Sequence, residues 1–490
     1  MKTTSLLAAG LAASGAAATS SKLTPDAIEN DIHTDKLQNV LWNFNKIARD
    51  NGGNRAFGLP GYNASLDFIL ERVQTRFGKH LDTFVQPFTH LFATTYEIAV
   101  TGPDGDLENI LTLQYNNPTP EGGVTGDLVA LPIDDERGSG CFADQWEGID
   151  VEGKIALIKR GTCAISDKLR LAKDNGAIGA LLIHNVPGNS ITAATLGAEN
   201  YGQISPVAVI TLEQGTAWKE AVDAGETIEV HLLVDATAED RETWNIISET
   251  KEGDADNVVM LGAHLDSVQE GPGVNDDGSG SAALLELVGS VKKYKGFKNK
   301  IRFAWWGAEE SGLVGSTYYV QSLSEEEKDK VRFYWNYDMI GSPEPFYHVY
   351  ADDDADKTGG KYIVDYLTEK GFPAEYAAFG SSSDYVAFLE AGIPSSGIFT
   401  GAGAPQDVCY HLACDDLDNV NYEALTVNAK AAGRALAALA NDLSEVPPRA
   451  MSSVNPSSKR GVARDLTKWR RVASGVEKHH SCAGDKKNTV

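Results

Sequence analysis

The chain has 490 residues, with 69 acidic and 43 basic side chains and a formal charge of −26. That length predicts two or three domains with ample surface to bury, while 42% hydrophobic and 23% charged residues exclude a disordered or fibrous chain. So acidic a chain repels phosphate and excludes a nucleic-acid groove, and no apolar run is long enough to span a bilayer.

At the N-terminus, Lys2 precedes an Ala-rich apolar run over residues 6–18 that closes on Ala16-Ala17-Ala18, the small residues a signal peptidase requires. Residues 1–18 therefore read as a secretory signal and residues 19–34 as a linker or short propeptide. The protein is expected to be secreted, with the vacuole as the alternative destination. Secretion permits disulfides and gives meaning to Asn63-Ala64-Ser65, the one glycosylation acceptor in the chain. Helical spacing of Leu37, Val40, Leu41, Phe44 and Ile47 predicts a helix over 37–49, and Leu66, Ile69, Leu70 and Val73 predict another over 63–77. Residues 84–100 alternate as strands do. From 122 to 234, short apolar strands at 127–131, 154–158 and 180–183 are separated by glycine-containing turns, with a helix at 168–175. Longer strands at 244–248 and 258–263 then alternate with helices at 279–294, 315–322, 360–370, 384–390 and 422–441, the pattern of a parallel α/β sheet. The expected fold class is α/β: a mixed, mostly parallel sheet with helices on both faces, built from residues 35–113 and 237–445 and interrupted by a small β-rich insertion over 114–236. Residues 445–490 hold ten Lys and Arg against four acids, so a body of −32 carries a tail of +6. Pro447-Pro448 and the serines beyond them predict a solvated basic tail over 446–490.

The chemistry gathers at strand ends. The buried-looking strand at 258–263 runs into His264-Leu265-Asp266; residues i and i+2 share a strand face, which places Asp266 to orient the His264 imidazole. Asn275-Asp276-Asp277-Gly278 then opens a helix, where one acid of the pair serves as N-cap and the other is free to bind metal. A second strand, 301–306, leads into Glu309-Glu310. Such a pair alone reads as solvated surface, but at the carboxyl edge of a sheet one carboxylate can bind metal while its neighbour accepts a proton from water. A third strand, 331–337, ends in Asp338, and Cys409-Tyr410-His411 with Cys414 sets a second histidine in a loop that a disulfide could close. Two histidines and three carboxylates suit zinc, and five donors exceed what one tetrahedral catalytic zinc takes beside its water. They fit two metals sharing one bridging carboxylate.

These strings, together with Trp-Gly-Ala-Glu-Glu-Ser-Gly-Leu-Val-Gly-Ser, Asn-Tyr-Asp-Met-Ile-Gly-Ser and Cys-Tyr-His-Leu-Ala-Cys-Asp, closely resemble the M28 family of co-catalytic zinc aminopeptidases over about residues 39–441. Within it they look most like fungal secreted or vacuolar members carrying a protease-associated (PA) domain. The resemblance implies two Zn2+ per chain, with Asp276 bridging, His264 and Asp338 completing one site, and Glu310 and His411 the other. It implies Glu309 as general base to a zinc-bridged hydroxide and Tyr410 as a donor to the oxyanion. It makes the insertion at 114–236 a PA domain with Cys141 and Cys163 as one pair, Cys409 and Cys414 as the second, and Cys482 left over. An apolar substrate pocket is expected from Met339, Tyr385 and Phe399. Many relatives carry an arginine immediately before the Ser-Asp that stands here as Ser383-Asp384; this chain has serine there, which bears on substrate orientation and not on the metal chemistry.

The expected substrates are peptides with free N-termini, and a monomer is the default. A two-zinc carboxypeptidase would need cationic residues to hold a free carboxylate, and these are scarce around the donors. A catalytically inactive binding protein on the same scaffold is opposed by the presence of all five donors and Glu309.

Overall fold

The computed structural model describes residues 22–188 and 195–450. The predicted signal segment and Cys482 lie outside them. Four apolar strands, Ser395–Phe399, Val331–Tyr337, Asp254–His264 and Asn299–Trp306, run parallel in that order at the centre of the peptidase sheet. Their side chains divide by the two-residue period of a strand. Val259, Leu261, Ala263, Ile301, Phe303, Trp305, Phe333 and Trp335 pack on one face under the helices Thr34–Asp50, Gly278–Val291 and Tyr422–Asn441. Val258, Met260, Ala304, Trp306 and Tyr334 pack on the other against Val314–Ser322 and Tyr385–Glu390. Strands covered on both faces read as continuous apolar runs, as these do. No helix among the described residues is long and apolar enough to cross a membrane.

The insertion is tethered by a ribbon. Leu81–Gly102 and Glu229–Thr250, each a 22-residue strand, pair antiparallel along most of their length. At one end the ribbon joins the peptidase sheet, where Ile246–Glu249 lie against Arg302–Trp305; at the other, Glu229–Leu232 lie against Val124–Asp127 of the insertion. There Val124–Ala130, Ile155–Lys159, Gly179–Ile183 and Val207–Ile210 form a second parallel sheet with the helices Ile165–Asp174 and Leu212–Asp223. Cys141 is bonded to Cys163 and Cys409 to Cys414, in both expected pairs.

Three expectations need correction. Residues 22–34 are not a linker: Thr24 caps the helix Pro25–Asp31, and Leu23, Ile28 and Ile32 are buried in the peptidase core. Gly433 makes room for them, since a Cβ there would meet Ile32 Cδ1 at 2.9 Å. Burial of three aliphatic side chains contributes roughly 1.5–3 kcal/mol each, which fixes the segment in place. The basic tail likewise does not begin at 446, because Val446 is buried and Arg449 bonds Asp329 and Glu325 at 2.6 Å each. The helix expected over 63–77 holds α geometry over Pro60–Leu70 and widens to a π turn over Glu71–Arg76. Within it Asn63 is exposed, whereas Ser65 is buried and donates to the Gly61 carbonyl.

Candidate active site

All five predicted donors converge at the carboxyl edge of the peptidase sheet. His264 ends one strand, Asp338 follows the next, and Glu309-Glu310 form a single turn after a third. Asp276 lies just before the helix Gly278–Val291, and His411 sits in the loop closed by Cys409 and Cys414. The two oxygens of Asp276 are divided between the histidines: Oδ1 is 3.1 Å from His264 Nε2 and Oδ2 is 3.0 Å from His411 Nε2. Asp338 Oδ1 lies 3.6 Å from His264 Nε2, and Glu310 Oε2 lies 3.0 Å from His411 Nε2. Two donor sets thus share one carboxylate.

This cluster fits cations. Zinc bonds of ~2.0–2.1 Å at tetrahedral angles hold donor atoms about 3.3 Å apart, and the separations above bracket that spacing. Glu310 Oε1 and Asp338 Oδ1 are buried with no hydrogen-bond partner among the described residues, an unfavourable state for carboxylate oxygens unless a cation lies against them. Asp266, Asp277 and Asp384 are buried beside the donors and add further negative charge. The titration of the site reports the same imbalance. Burial opposes protonation of His264, yet Glu309, Asp276 and Asp338 outweigh it and push its pKa well above the ordinary value. Burial likewise raises Glu309 far above the carboxylate range, offset in part by His264 and reinforced by Asp384, Asp338 and Glu310.

The supporting shell departs from expectation at Asp266. Its backbone carbonyl, not its carboxylate, faces His264 Nδ1 at 3.0 Å; the nearer carboxylate oxygen stands 3.8 Å away. The carboxylate instead accepts the Glu309 N–H at 3.1 Å and the Glu310 N–H at 3.3 Å. The i, i+2 geometry correctly put Asp266 behind the histidine, but the strand has ended there and the chain turns its carbonyl inward. Asp277 is the N-cap, accepting from Gly280 N at 2.8 Å, and also accepts from the backbone of His264 and Met339.

Several further residues position the donors, and of these only Ser383 is marked in the sequence. Asp415 accepts the N–H groups of Asn275 and Asp276 at 2.9 and 3.0 Å, and Asn419 bridges it to Asp407. Burial, with Asp407 alongside, raises Asp415 to about 8. Ser383 donates to Asp338 Oδ2 at 2.6 Å and accepts from Asn336. Arg55 is fully buried and its guanidinium donates to the carbonyls of Leu265, Pro272 and Gly273, so a cation underlies the loop that carries the ligands. Only its place in an Asn-Arg loop between helices hinted at this, and that is no specific signal. Met339, Tyr385 and Phe399 come together in one apolar cluster with Tyr410, whose ring stacks on His411 at 3.8 Å.

Fold and donors together define a metal-dependent hydrolase of the zinc-exopeptidase type. Residues 245–436 match Peptidase family M28, and residues 124–218 match the PA domain. An aminopeptidase of Pseudomonas aeruginosa is 37% identical over 448 residues, covering 83% of this chain and 81% of its own length. A probable leucine aminopeptidase 2 of Aspergillus oryzae is 35% identical over 501 residues, covering 96% of each chain. Among solved structures, the aminopeptidase from Aneurinibacillus sp. strain AM-1 superposes with a TM-score of 0.73 at 28% identity, covering 84% of this chain and 95% of that one. A zinc aminopeptidase from Bacillus subtilis gives a TM-score of 0.61 at 25% identity, with 84% and 95% covered. The chain belongs to peptidase family M28, with an inserted PA domain, and is a hydrolase acting as a metallo-aminopeptidase.

Proposed function

We propose that the protein is a secreted aminopeptidase that holds two zinc ions and removes single, preferentially apolar residues from the free N-termini of peptides. The observation that carries the reading is the split of Asp276 between His264 and His411 at 3.1 and 3.0 Å, with Asp338 beside the first histidine and Glu310 beside the second. Bound there, the zinc ions supply Lewis-acid polarisation of the scissile carbonyl and acidify a water molecule. The rest falls to the chain. Glu309, whose Oε2 is 3.9 Å from His264 Nε2, accepts the proton of the attacking water and returns it to the leaving amine. Asp266 holds the Glu309 backbone in register. Tyr410, packed on His411, donates to the carbonyl oxygen as charge develops on it. Met339, Tyr385 and Phe399 supply an apolar wall, consistent with the leucine aminopeptidase name of the Aspergillus relative. The Lys2-led apolar segment supports secretion, the vacuole being the other destination, and exposed Asn63 is the proposed glycan site.

A carboxypeptidase would need a free cation to grip the substrate's terminal carboxylate. Arg55, the buried arginine under the donors, spends its guanidinium on three carbonyls instead. The deciding experiment compares residue release from leucine, phenylalanine, aspartate and lysine anilides, and from a peptide with and without N-terminal acetylation, each with and without chelator. Release is expected only from free N-termini, fastest for the apolar residues and abolished by chelation, with two zincs per chain by metal analysis. Continued release from the acetylated peptide would overturn the aminopeptidase reading.

A further inference from the structure

The turn Glu309–Ser311 carries both the proposed general base and a proposed ligand, and its backbone groups are all engaged. Its Glu309 and Glu310 N–H groups go to the Asp266 carboxylate. The Glu309 carbonyl accepts from Gly312 and Leu313 at 2.8 Å each. The two remaining carbonyls face the insertion: Gln114 Nε2 donates to Glu310 O at 3.1 Å, and the Tyr115 hydroxyl, which also has Leu91 O at 3.2 Å, lies 3.4 Å from Ser311 O.

The segment that delivers these donors is anchored in the insertion. Leu111 exchanges backbone hydrogen bonds with Val209, and Asn116 exchanges side-chain bonds with the backbone of Val207, both on the last strand of the PA sheet. Gln114 O accepts from Leu196 N at 3.0 Å. The Tyr115 ring is buried in the PA core with Leu113, Leu131 and Trp146, while its hydroxyl projects to the peptidase turn and meets His90 Nε2 at 2.9 Å. Tyr115 also adopts φ +63°, a left-handed conformation that a residue with a Cβ holds only where its surroundings fix it. Across the contact Ala308 and Leu313, on either side of the catalytic turn, are left-handed too, at φ +57° and +60°. Two strained segments from different domains are hydrogen-bonded to each other at the residues that carry the chemistry.

We propose that Gln114 and Tyr115 are positioning residues: the PA domain holds the Glu309–Ser311 turn from its carbonyl side while Asp266 holds it from its N–H side. The inserted domain thereby sets the placement of the base and of one ligand, and is part of the active site's frame. This rests on the reading of Glu309 as base and Glu310 as ligand. Loss of either donor removes a hydrogen bond that ties the turn to the insertion and frees the turn to shift, and a displacement near 1 Å at a reacting group lowers turnover by about 10²-fold.

The test uses full-length, zinc-loaded protein carrying Gln114→Met, which fills the same space without a donor, or Tyr115→Phe, which removes one hydroxyl and keeps the ring in its core. Expected are a kcat about ten- to hundredfold lower in Gln114→Met and about three- to tenfold lower in Tyr115→Phe, with KM within about twofold of the parent. One of the two zincs should also pass to a chromogenic chelator faster than in the parent, a readout independent of turnover. Should Gln114→Met fail to fold, Tyr115→Phe carries the test alone. Parent-like kcat and zinc release in variants that are merely less heat-stable would overturn the proposal. Glu309→Gln is run alongside: if it is inactive while the other variants are parent-like, only the positioning role fails, and if it keeps parental turnover, the base assignment itself is wrong.

Discussion

The Asp266 carboxylate and the Glu309 backbone N–H are 3.1 Å apart, deep at the sheet edge, and this bond ties the loop after one central strand to the turn after its neighbour. Asp266 therefore serves the base more directly than it serves the histidine. Its carbonyl still fixes the His264 tautomer by accepting at Nδ1, leaving Nε2 for the metal side. One residue thus separates two tasks, with its main chain holding a ligand and its side chain holding the base.

That division predicts the behaviour of Asp266→Asn. The amide keeps one acceptor oxygen but turns an NH2 toward one of the two N–H groups, leaving a buried donor unsatisfied at about 1–3 kcal/mol. Because the carbonyl of residue 266 is unchanged, zinc content should stay at the parental level while kcat falls by about 10- to 100-fold. Metal analysis and steady-state kinetics on the same preparation check this; loss of zinc in step with activity would return Asp266 to the role of histidine orienter.

Removal of metal should destabilise the fold as well as stop the reaction. His264, His411, Asp276, Glu310 and Asp338 are held around a space that leaves Glu310 Oε1 and Asp338 Oδ1 without donors. An ion present at a thousandfold above its Kd stabilises the folded state by about 4 kcal/mol, which for a domain of this size is a Tm change of about 7 °C. Scanning calorimetry should show that drop on chelation and its recovery with zinc. Magnesium, which prefers six oxygens, should not restore it. An unchanged Tm in demonstrably metal-free protein would contradict the fit of the donors to a cation.

Much of this site was legible in the sequence because catalytic groups sit where regular structure stops. His264, Glu309-Glu310 and Asp338 each follow an apolar strand, and parallel strands necessarily bring their carboxyl ends to one edge. The residues that the sequence does not mark act through contacts distant along the chain. Asp415 grips the backbone of Asp276 from 139 positions away, and Gln114 reaches Glu310 from 196; no local pattern marks either. The limits of the body are hidden in the sequence for a different reason. Residues 22–34 are short and polar on one side, so their composition resembles a linker, and only the groove above Gly433 shows why Ile28 and Ile32 bury there. The ribbon strands Leu81–Gly102 and Glu229–Thr250 run beyond the strands predicted at 84–100 and 244–248, because their burial changes as they pass from one domain to the other.

The same N-terminal helix should respond to acid. Burial works against ionisation of Glu29, but hydrogen bonds and ion pairs with Tyr366, Lys370 and Arg434 outweigh it and lower its pKa. Asp31 is lowered in the same way, with burial opposed by Lys293, Ser290 and Tyr294. For a carboxyl whose folded pKa lies below its unfolded one, the stabilisation is fully present above the unfolded value and disappears as pH falls through the folded value. The helix Pro25–Asp31 should therefore be firmly docked at pH 7 and loosen below about pH 4, where unfolded carboxyls titrate. Amide hydrogen exchange over this helix, corrected for intrinsic rates, should accelerate at pH 3 relative to pH 6 more than exchange in the helix Gly278–Val291. Arg434 bonds both Asp26 and Glu29 at 2.6 Å, so Arg434→Met should already loosen the helix at pH 7 and shrink the further change on acidification. Equal acceleration in both helices would mean that acid acts on the domain as a whole, and that these ion pairs do not govern the docking.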